Sequence, residues 1–343
     1  MIGHFGFGKE LLNGQTIKTK TVTTELERQL GADQIIKIDT HGGASVLPKV
    51  ICQMGKAFRS CENVVVFPAH NGVRVFVPVC VFFNQFYHRK LHYVVIGGWL
   101  DNLLGKHGAL IGLLKKFAGI YVETQSMRRA LNQRGLSNVV VMPNFKNLHV
   151  LDKSELVYST GKPYRLCTFS RVMKEKGIED AIEAIKKINE SHEEVLFELD
   201  IFGQVDDAQT EWFERLMTVA PPYVQYKGVI PYNKSVDVIK NYFALLFPTK
   251  FYTEGIPGTI IDAYAAGVPV ISSKWESFSD VVEDSVTGIG YEFDNDYSLI
   301  ELLEYIYCEP EKIVAMKIAC LSRAKMFSPE VIIGDFVRRL SEE

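Results

Sequence analysis

Two carboxylates flank a loop rich in glycine and proline in the stretch Phe247-Pro-Thr-Lys-Phe-Tyr-Thr-Glu254-Gly-Ile-Pro-Gly258-Thr259-Ile-Ile-Asp262. A strand reads to an end at Phe247, and a short helix runs from about Gly258 to a cap at Gly267, with Pro269 beyond it. Glu254 then precedes the helix and Asp262 lies one turn inside it, so both carboxylates can face one cleft, about one sugar length apart. The amides of Gly258 and Thr259 open the helix, where unpaired N–H groups and the dipole favour a phosphate. An acid in the first turn also suits the helix dipole, so Asp262 taken alone has a purely structural alternative.

A cationic cluster follows an earlier strand. Ser170-Arg171-Val-Met-Lys174-Glu-Lys176-Gly177 comes directly after the strand pattern Arg165 to Phe169, and Ile178, Ala181, Ile182, Ile185 and Ile188 then recur at helical spacing. The cations crowd the positive end of that helix, at a cost of about 0.3 to 1 kcal/mol each. An anion among them removes the cost, and a diphosphate would satisfy both the side chains and the free amides. The alternative is a solvated loop whose cations pair with Glu175 or Glu179.

The N-terminal Gly3-His-Phe-Gly-Phe-Gly8-Lys9-Glu10 fits GxxxxGK but puts Glu10 where a Mg²⁺-holding hydroxyl should stand, and only two residues precede it to form a strand. An ATPase or kinase is therefore not expected. What survives is a glycine-rich turn after a very short first strand, with Gly6, Gly8 and Gly14 permitting close backbone approach and a helix from about Gln15 aimed at it. Six cysteines lie far apart without zinc spacing, so reduced thiols and no metal site are expected.

These loops need elements to aim them. The chain has 343 residues, 47% hydrophobic and 23% charged, enough for two domains with their own cores. Strand patterns at Gln34–Ile38, Asn63–Phe67, Tyr93–Ile96, Gly119–Glu123 and Val139–Met142 alternate with helical ones such as Thr16–Leu30. Arg165–Phe169, Leu196–Phe202, Val224–Lys227, Ala244–Phe247 and Val268–Ser272 repeat the arrangement. This predicts an α/β chain of two doubly wound, Rossmann-like domains, whose ligands bind at the carboxyl ends of the strands. The boundary is expected between Asn147 and Pro163, giving domains 1–155 and 156–327, with residues 328–343 as a helix returning to the first domain. The apolar run Val75 to Phe83 is too short for a membrane span, and MIGHFGFGKE lacks the regions of a signal peptide.

The net charge of −3 conceals a split: residues 1–155 carry 19 Lys and Arg against 10 Asp and Glu, or +9, and the rest carry 19 against 31, or −12. The basic half is expected to meet an anionic partner, whether membrane headgroups, a phosphate-bearing acceptor or the acidic half of its own chain. Basic residues beside apolar ones at 82–93 and 99–117, among them Lys115 and Lys116, favour an anionic membrane surface. Nucleic acid is not expected, because no reader motif accompanies the charge.

The pair Glu254 and Asp262, seven residues between them, resembles the E-x7-E signature of glycosyltransferase family 4 (group 1), retaining enzymes of GT-B fold, with Asp in place of the second Glu. SRVMKEKGIEDAIEAI is similar to the family's Arg…Lys-Gly segment, YKGVIPY to its loop over the nucleotide base, and AYAAGVPVI and SVTGIGYEF to its small-residue helix and closing strand. Over residues 163–327 the likeness is specific. In the first half it rests on NGQTIKTKTVTTEL and GIYVETQSMRRALNQRGLSNVVVMPN. The chain most resembles the bacterial capsular and surface-polysaccharide members.

The resemblance implies two Rossmann-like domains facing across a cleft. It assigns Arg171 and Lys176 to the donor diphosphate, Glu254 to the transferred sugar, and Asp262 to the ribose. Gly14, Gly258 and Thr259 would approach the donor through their amides, and the backbone of Val229 and Ile230 would meet the base. Where relatives carry a His-containing loop, this chain has Gly97-Gly98-Trp99-Leu-Asp101, so Trp99, Asp101 and His70 stand as acceptor-side candidates. The implied reaction is retaining transfer of a sugar from a nucleotide diphosphate sugar, UDP ahead of GDP, to a saccharide or polyprenyl-diphosphate-linked acceptor, without a metal or other cofactor. The implied location is cytoplasmic, at or near the inner face of the plasma membrane. A nucleotide-sugar epimerase of GT-B fold and a non-catalytic nucleotide-sugar-binding protein remain as alternatives.

Overall fold

The computed structural model describes residues 1–8, 14–159 and 161–341. They fall into two units, Met1–Asn144 with Pro329–Glu343, and Phe145–Ser328.

The first unit holds a parallel sheet of β1 (Ile2–Gly3), β2 (Ile38–Asp39), β3 (Asn63–Val66), β4 (Lys90–Val94), β5 (Gly119–Val122) and β6 (Val139–Val141), in the order β2-β1-β3-β4-β5-β6. Its β-branched strands are buried on both faces, as a parallel sheet between helices requires. Val64, Val66, Tyr93 and Ile120 pack with Met54 and Phe58 of the helix Leu47–Ser60 and Val77 and Cys80 of the helix Val73–Tyr87. The expected strand Gln34–Ile38 is shorter than its apolar run suggests. Ala32–Gln34 turn as a 3-10 helix, and pairing with β1 is confined to Ile38 and Asp39.

The second unit holds β7 (Tyr164–Phe169), β8 (Phe197–Phe202), β9 (Val224–Gly228), β10 (Ala244–Phe247), β11 (Val270–Ser273) and β12 (Gly288–Tyr291), all parallel, in the order β12-β11-β10-β7-β8-β9. Alternation along the strands divides its core. Cys167, Leu245 and Val270 join one apolar cluster, while their chain neighbours Leu166, Leu246 and Ile271 join another. In register, Leu245 pairs with Cys167 on one side and Val270 on the other, so each cluster runs unbroken across three strands.

The boundary lies at 144/145, earlier than the predicted 155/156. The linker reads as polar, yet Phe145, Leu151 and Leu156 are buried, Leu151 and Leu156 join the second unit's core, and Leu151 N–H donates to Ala265 O at 3.0 Å. The C-terminal helix Pro329–Ser341 belongs to the first unit, where Phe336 packs edge-on against Tyr121 and Asn63 Nδ2 donates to Leu340 O.

Among the described residues, no helix is long and apolar enough to cross a membrane. One set of expected membrane anchors is corrected: Leu103, Leu104, Leu110, Leu114 and Phe117 are buried in the first core, because their spacing serves the helices Leu100–Lys106 and Ala109–Leu114 that cover the sheet. Phe82 and Phe86 are exposed, at 57% and 65%.

Candidate functional site

The strand order of the second sheet reverses between β7 and β10, and ligands of such sheets bind in the crevice beyond the carboxyl ends of the strands at that point. The cationic loop leaves β7 there, and the glycine- and proline-rich loop leaves β10. Gly177 ties the two loops together. Its φ is +68°, and a Cβ on it would stand 1.9 Å from Pro248 O, so a larger residue would push the loops apart. Lys250 N–H donates to Glu175 O at 2.9 Å, a second tie.

Lys176 and Glu254, 78 residues apart in the chain, meet: Lys176 Nζ lies 2.6 Å from Glu254 Oε2. Both are largely buried, and the ammonium also stands 5.1 and 5.5 Å from the ring centres of Phe251 and Phe247, which limit its access to water. Thr249, which the sequence did not single out, donates its hydroxyl to the same Glu254 oxygen at 3.1 Å, and Trp275 Nε1 donates to Glu254 O at 3.1 Å. The carboxylate is therefore oriented by a cation and a hydroxyl, with its backbone pinned. Arg171 is more open, and its guanidinium pairs with Asp206 at 3.0 Å. This contact holds a cation ready without consuming it, since the Arg171 end of the pair is open to solvent and such a pair contributes little.

Gly258 and Thr259 open the helix Gly258–Ala265 after the extended Pro257, with no side-chain cap on the first amides. Thr259 Oγ1 is buried without a hydrogen-bond partner. Val229, beyond β9, is 57% exposed, while Ile230 leans on the second core, so this loop presents its backbone over a fixed anchor.

Asp262 does not stand open beside Glu254 as predicted. It is 2% exposed, and Lys146 Nζ lies 2.7 and 2.6 Å from its two oxygens. Burial raises its pKa, opposed by Lys146 and the Ser235 hydroxyl. One turn inside the helix, the short side chain ends beneath Lys146. Sequence reading missed Lys146, which carries no motif of its own and lies 116 residues from its partner.

The remaining candidates lie in the first unit. Gly14 begins the helix Gly14–Leu30 and is exposed, while Lys9 and Glu10 lie outside the described residues. His70 and Trp99, following β3 and β4, come together with ring centres 5.3 Å apart. Asp101 faces elsewhere: Arg134 grips it with two guanidinium nitrogens, NH2 at 3.0 Å from Oδ2, so it ties the helix Leu100–Lys106 to the C-cap of the helix Gln125–Gln133. A group not foreseen sits beyond β1 and β2. Asp39 accepts the backbone N–H groups of Phe5, Gly6, Phe7 and His41, His41 Nδ1 meets His4 Nε2 at 2.9 Å, and His4 Nδ1 meets Thr16 Oγ1 at 2.7 Å. Asp39 thus shapes the glycine-rich turn. Burial and the neighbouring His41 lower the His4 pKa.

Residues 157–319 match the family model described as glycosyl transferases group 1. Two curated relatives, each described as a putative colanic acid biosynthesis glycosyltransferase WcaL, from Salmonella typhimurium and Escherichia coli, are 26% identical over 141 residues. That alignment covers 38% of this chain and 33% of theirs, so the chain spans about a third of the curated relatives it matches. Among solved structures, Anabaena Alr3699/HepE in complex with UDP superposes with a TM-score of 0.73 at 14% identity, covering 93% of this chain and 88% of that one. The same protein with UDP and glucose gives 0.70 at the same identity and coverage. Sucrose-phosphate synthase from Thermosynechococcus elongatus gives 0.71 at 15% identity, covering 99% and 95%. The fold is thus the two-domain Rossmann-like GT-B fold, and the matched segment holds both loops that meet at the β7/β10 switch point. Over the matched residues 157–319, most of the second unit, the chain is similar to the group 1 glycosyltransferases.

Proposed function

We propose that the protein is a retaining glycosyltransferase that moves a hexosyl group from UDP-sugar to a saccharide or lipid-linked acceptor in surface-polysaccharide synthesis. The observation that carries this reading is the Lys176–Glu254 pair at the switch point, 2.6 Å apart and flanked by the uncapped helix start at Gly258. UDP and glucose in the Anabaena structure and the colanic acid biosynthesis in the names of the curated relatives support the nucleotide and a biosynthetic role.

In this reading the bond from the anomeric carbon to the diphosphate breaks as the acceptor oxygen bonds to that carbon on the same face. The acceptor proton passes to the departing phosphate oxygen. Negative charge grows on the diphosphate as the bond breaks, so Lys176, Arg171 and the amides of Gly258 and Thr259 stabilise the transition state more than the bound donor. These groups carry the charge without a metal ion. Glu254 receives the sugar hydroxyls, oriented by Thr249. His70 and Trp99 are the acceptor-side candidates of the first unit, and Asp101, committed to Arg134, is set aside.

The test is a thermal-shift panel of UDP-, GDP-, ADP- and CMP-sugars, followed by nucleotide release with and without acceptor. Stabilisation by a UDP-sugar and acceptor-dependent release of UDP are expected. No shift with any of the panel would overturn the reading.

A further inference from the structure

Lys146 lies where a cation is least welcome. An ideal Cβ on Gly258 would stand 3.2 Å from Lys146 Cε and 3.5 Å from Nζ, so the ammonium rests against the first residue of the helix Gly258–Ala265, at the positive end of its dipole. Asp262 holds it there with both oxygens. The pair is lopsided: the Asp262 side chain is 2% exposed and that of Lys146 is 28% exposed, so the carboxylate is sealed and the cation looks outward. The backbone beneath is fixed as well, since Phe145 is buried and Lys146 N–H donates to Phe327 O at 3.2 Å. The first amides of the helix open at Gly258, and the hydroxyl of the next residue, Thr259, is buried without a partner. Each of these groups gains from an anion, and the carboxylate that could have served another ligand is occupied.

Resting on the glycosyltransferase reading, we propose that Lys146 is a phosphate ligand of the donor site. Asp262 is its positioning residue and not a ribose ligand. The ammonium, the amides of Gly258 and Thr259 and the Thr259 hydroxyl would form one receptor for the nucleotide diphosphate, with Asp262 keeping the ammonium in place when the site is empty.

The two roles for Asp262 separate in binding. Calorimetric titration of the full chain with UDP, GDP and ADP identifies the preferred nucleoside diphosphate, which is then compared with its 2′-deoxy counterpart. Lys146→Met and Asp262→Asn are each expected to weaken the diphosphate by about tenfold or more, as loss of a charge-assisted contact should. The ratio between ribo and 2′-deoxy forms should stay at its wild-type value in both, and Lys146→Arg should recover part of the affinity. Wild-type affinity in Lys146→Met, or loss of the ribo preference in Asp262→Asn, would overturn the assignment. Lys146→Met/Asp262→Asn leaves no unpaired buried charge and carries the same comparison if a single variant fails to fold. Wild-type protein that binds none of the three nucleotides would overturn the glycosyltransferase reading itself, and this assignment with it.

Discussion

Lys176 Nζ and Glu254 Oε2 stand 2.6 Å apart, joining the loop after β7 to the loop after β10 in one ion pair. In the proposed reaction the two would part company with each other and meet the two halves of the donor, the ammonium its diphosphate and the carboxylate its sugar. The pair therefore stores both groups in a paired, partly desolvated state until a substrate replaces each partner.

Lys176→Ala should lower turnover by about 10²-fold or more, and Glu254→Gln should act mainly on kcat. Because the residues touch, the double variant should lose less than the product of the single losses, measured as acceptor-dependent nucleotide release. Arg171→Ala should also cost about 10²-fold while leaving Tm within a few degrees, since the Arg171 side chain is 54% exposed in its pair with Asp206. Full additivity at Lys176 and Glu254 would mean that they act in separate places.

Gly177→Ala should destabilise the protein by about 2 kcal/mol or more, because it combines a left-handed φ with a 1.9 Å clash against Pro248 O. Gly161→Ala, whose Cβ meets nothing within 4 Å, should be close to neutral. Chemical denaturation compares the two, and equal midpoints would contradict the close approach of the loops.

Stability should fall with acid through His92. This residue is buried, within reach of the Tyr121 hydroxyl at 3.1 Å and Asn63 Oδ1 at 3.0 Å, and burial lowers its pKa to about 4. The unfolded imidazole takes a proton near pH 6.5, so between that pH and about 4 the unfolded chain binds more protons than the native one. His92 alone then removes about 3 kcal/mol as the pH drops across this window. Melting curves of His92→Gln should depend less steeply on pH there, and an unchanged slope would remove His92 as the cause.

Binding to anionic vesicles should depend on the exposed rings of Phe82 and Phe86, 5.6 Å apart, together with exposed cations of the first unit. Co-sedimentation should rise with anionic lipid, fall with salt, and weaken both in Phe82→Ser/Phe86→Ser and in Lys115→Glu/Lys116→Glu. Equal partitioning to neutral and anionic vesicles would leave the basic character of this unit to another partner.

By itself the sequence determined the alternation of strands and helices, the two Rossmann-like units, and the loops that carry Arg171, Lys176 and Glu254. Each of these rests on short-range patterns: β-branched runs, apolar positions at helical spacing, and glycines and prolines at element ends. Even there, partnership decided the extents, as at β2, where pairing with β1 extends only over Ile38 and Asp39. Tertiary structure alone decided which charges meet. Lys146 reaches Asp262 across 116 residues and Lys176 reaches Glu254 across 78, because the order of strands in the sheet sets which loops are neighbours. A local pattern carries no record of that order. Asp101 and Asp262 both looked available in the sequence, and each proved to be held by a cation from a distant segment. The free energy of a buried carboxylate depends on what surrounds it in space, not on what precedes it in the chain.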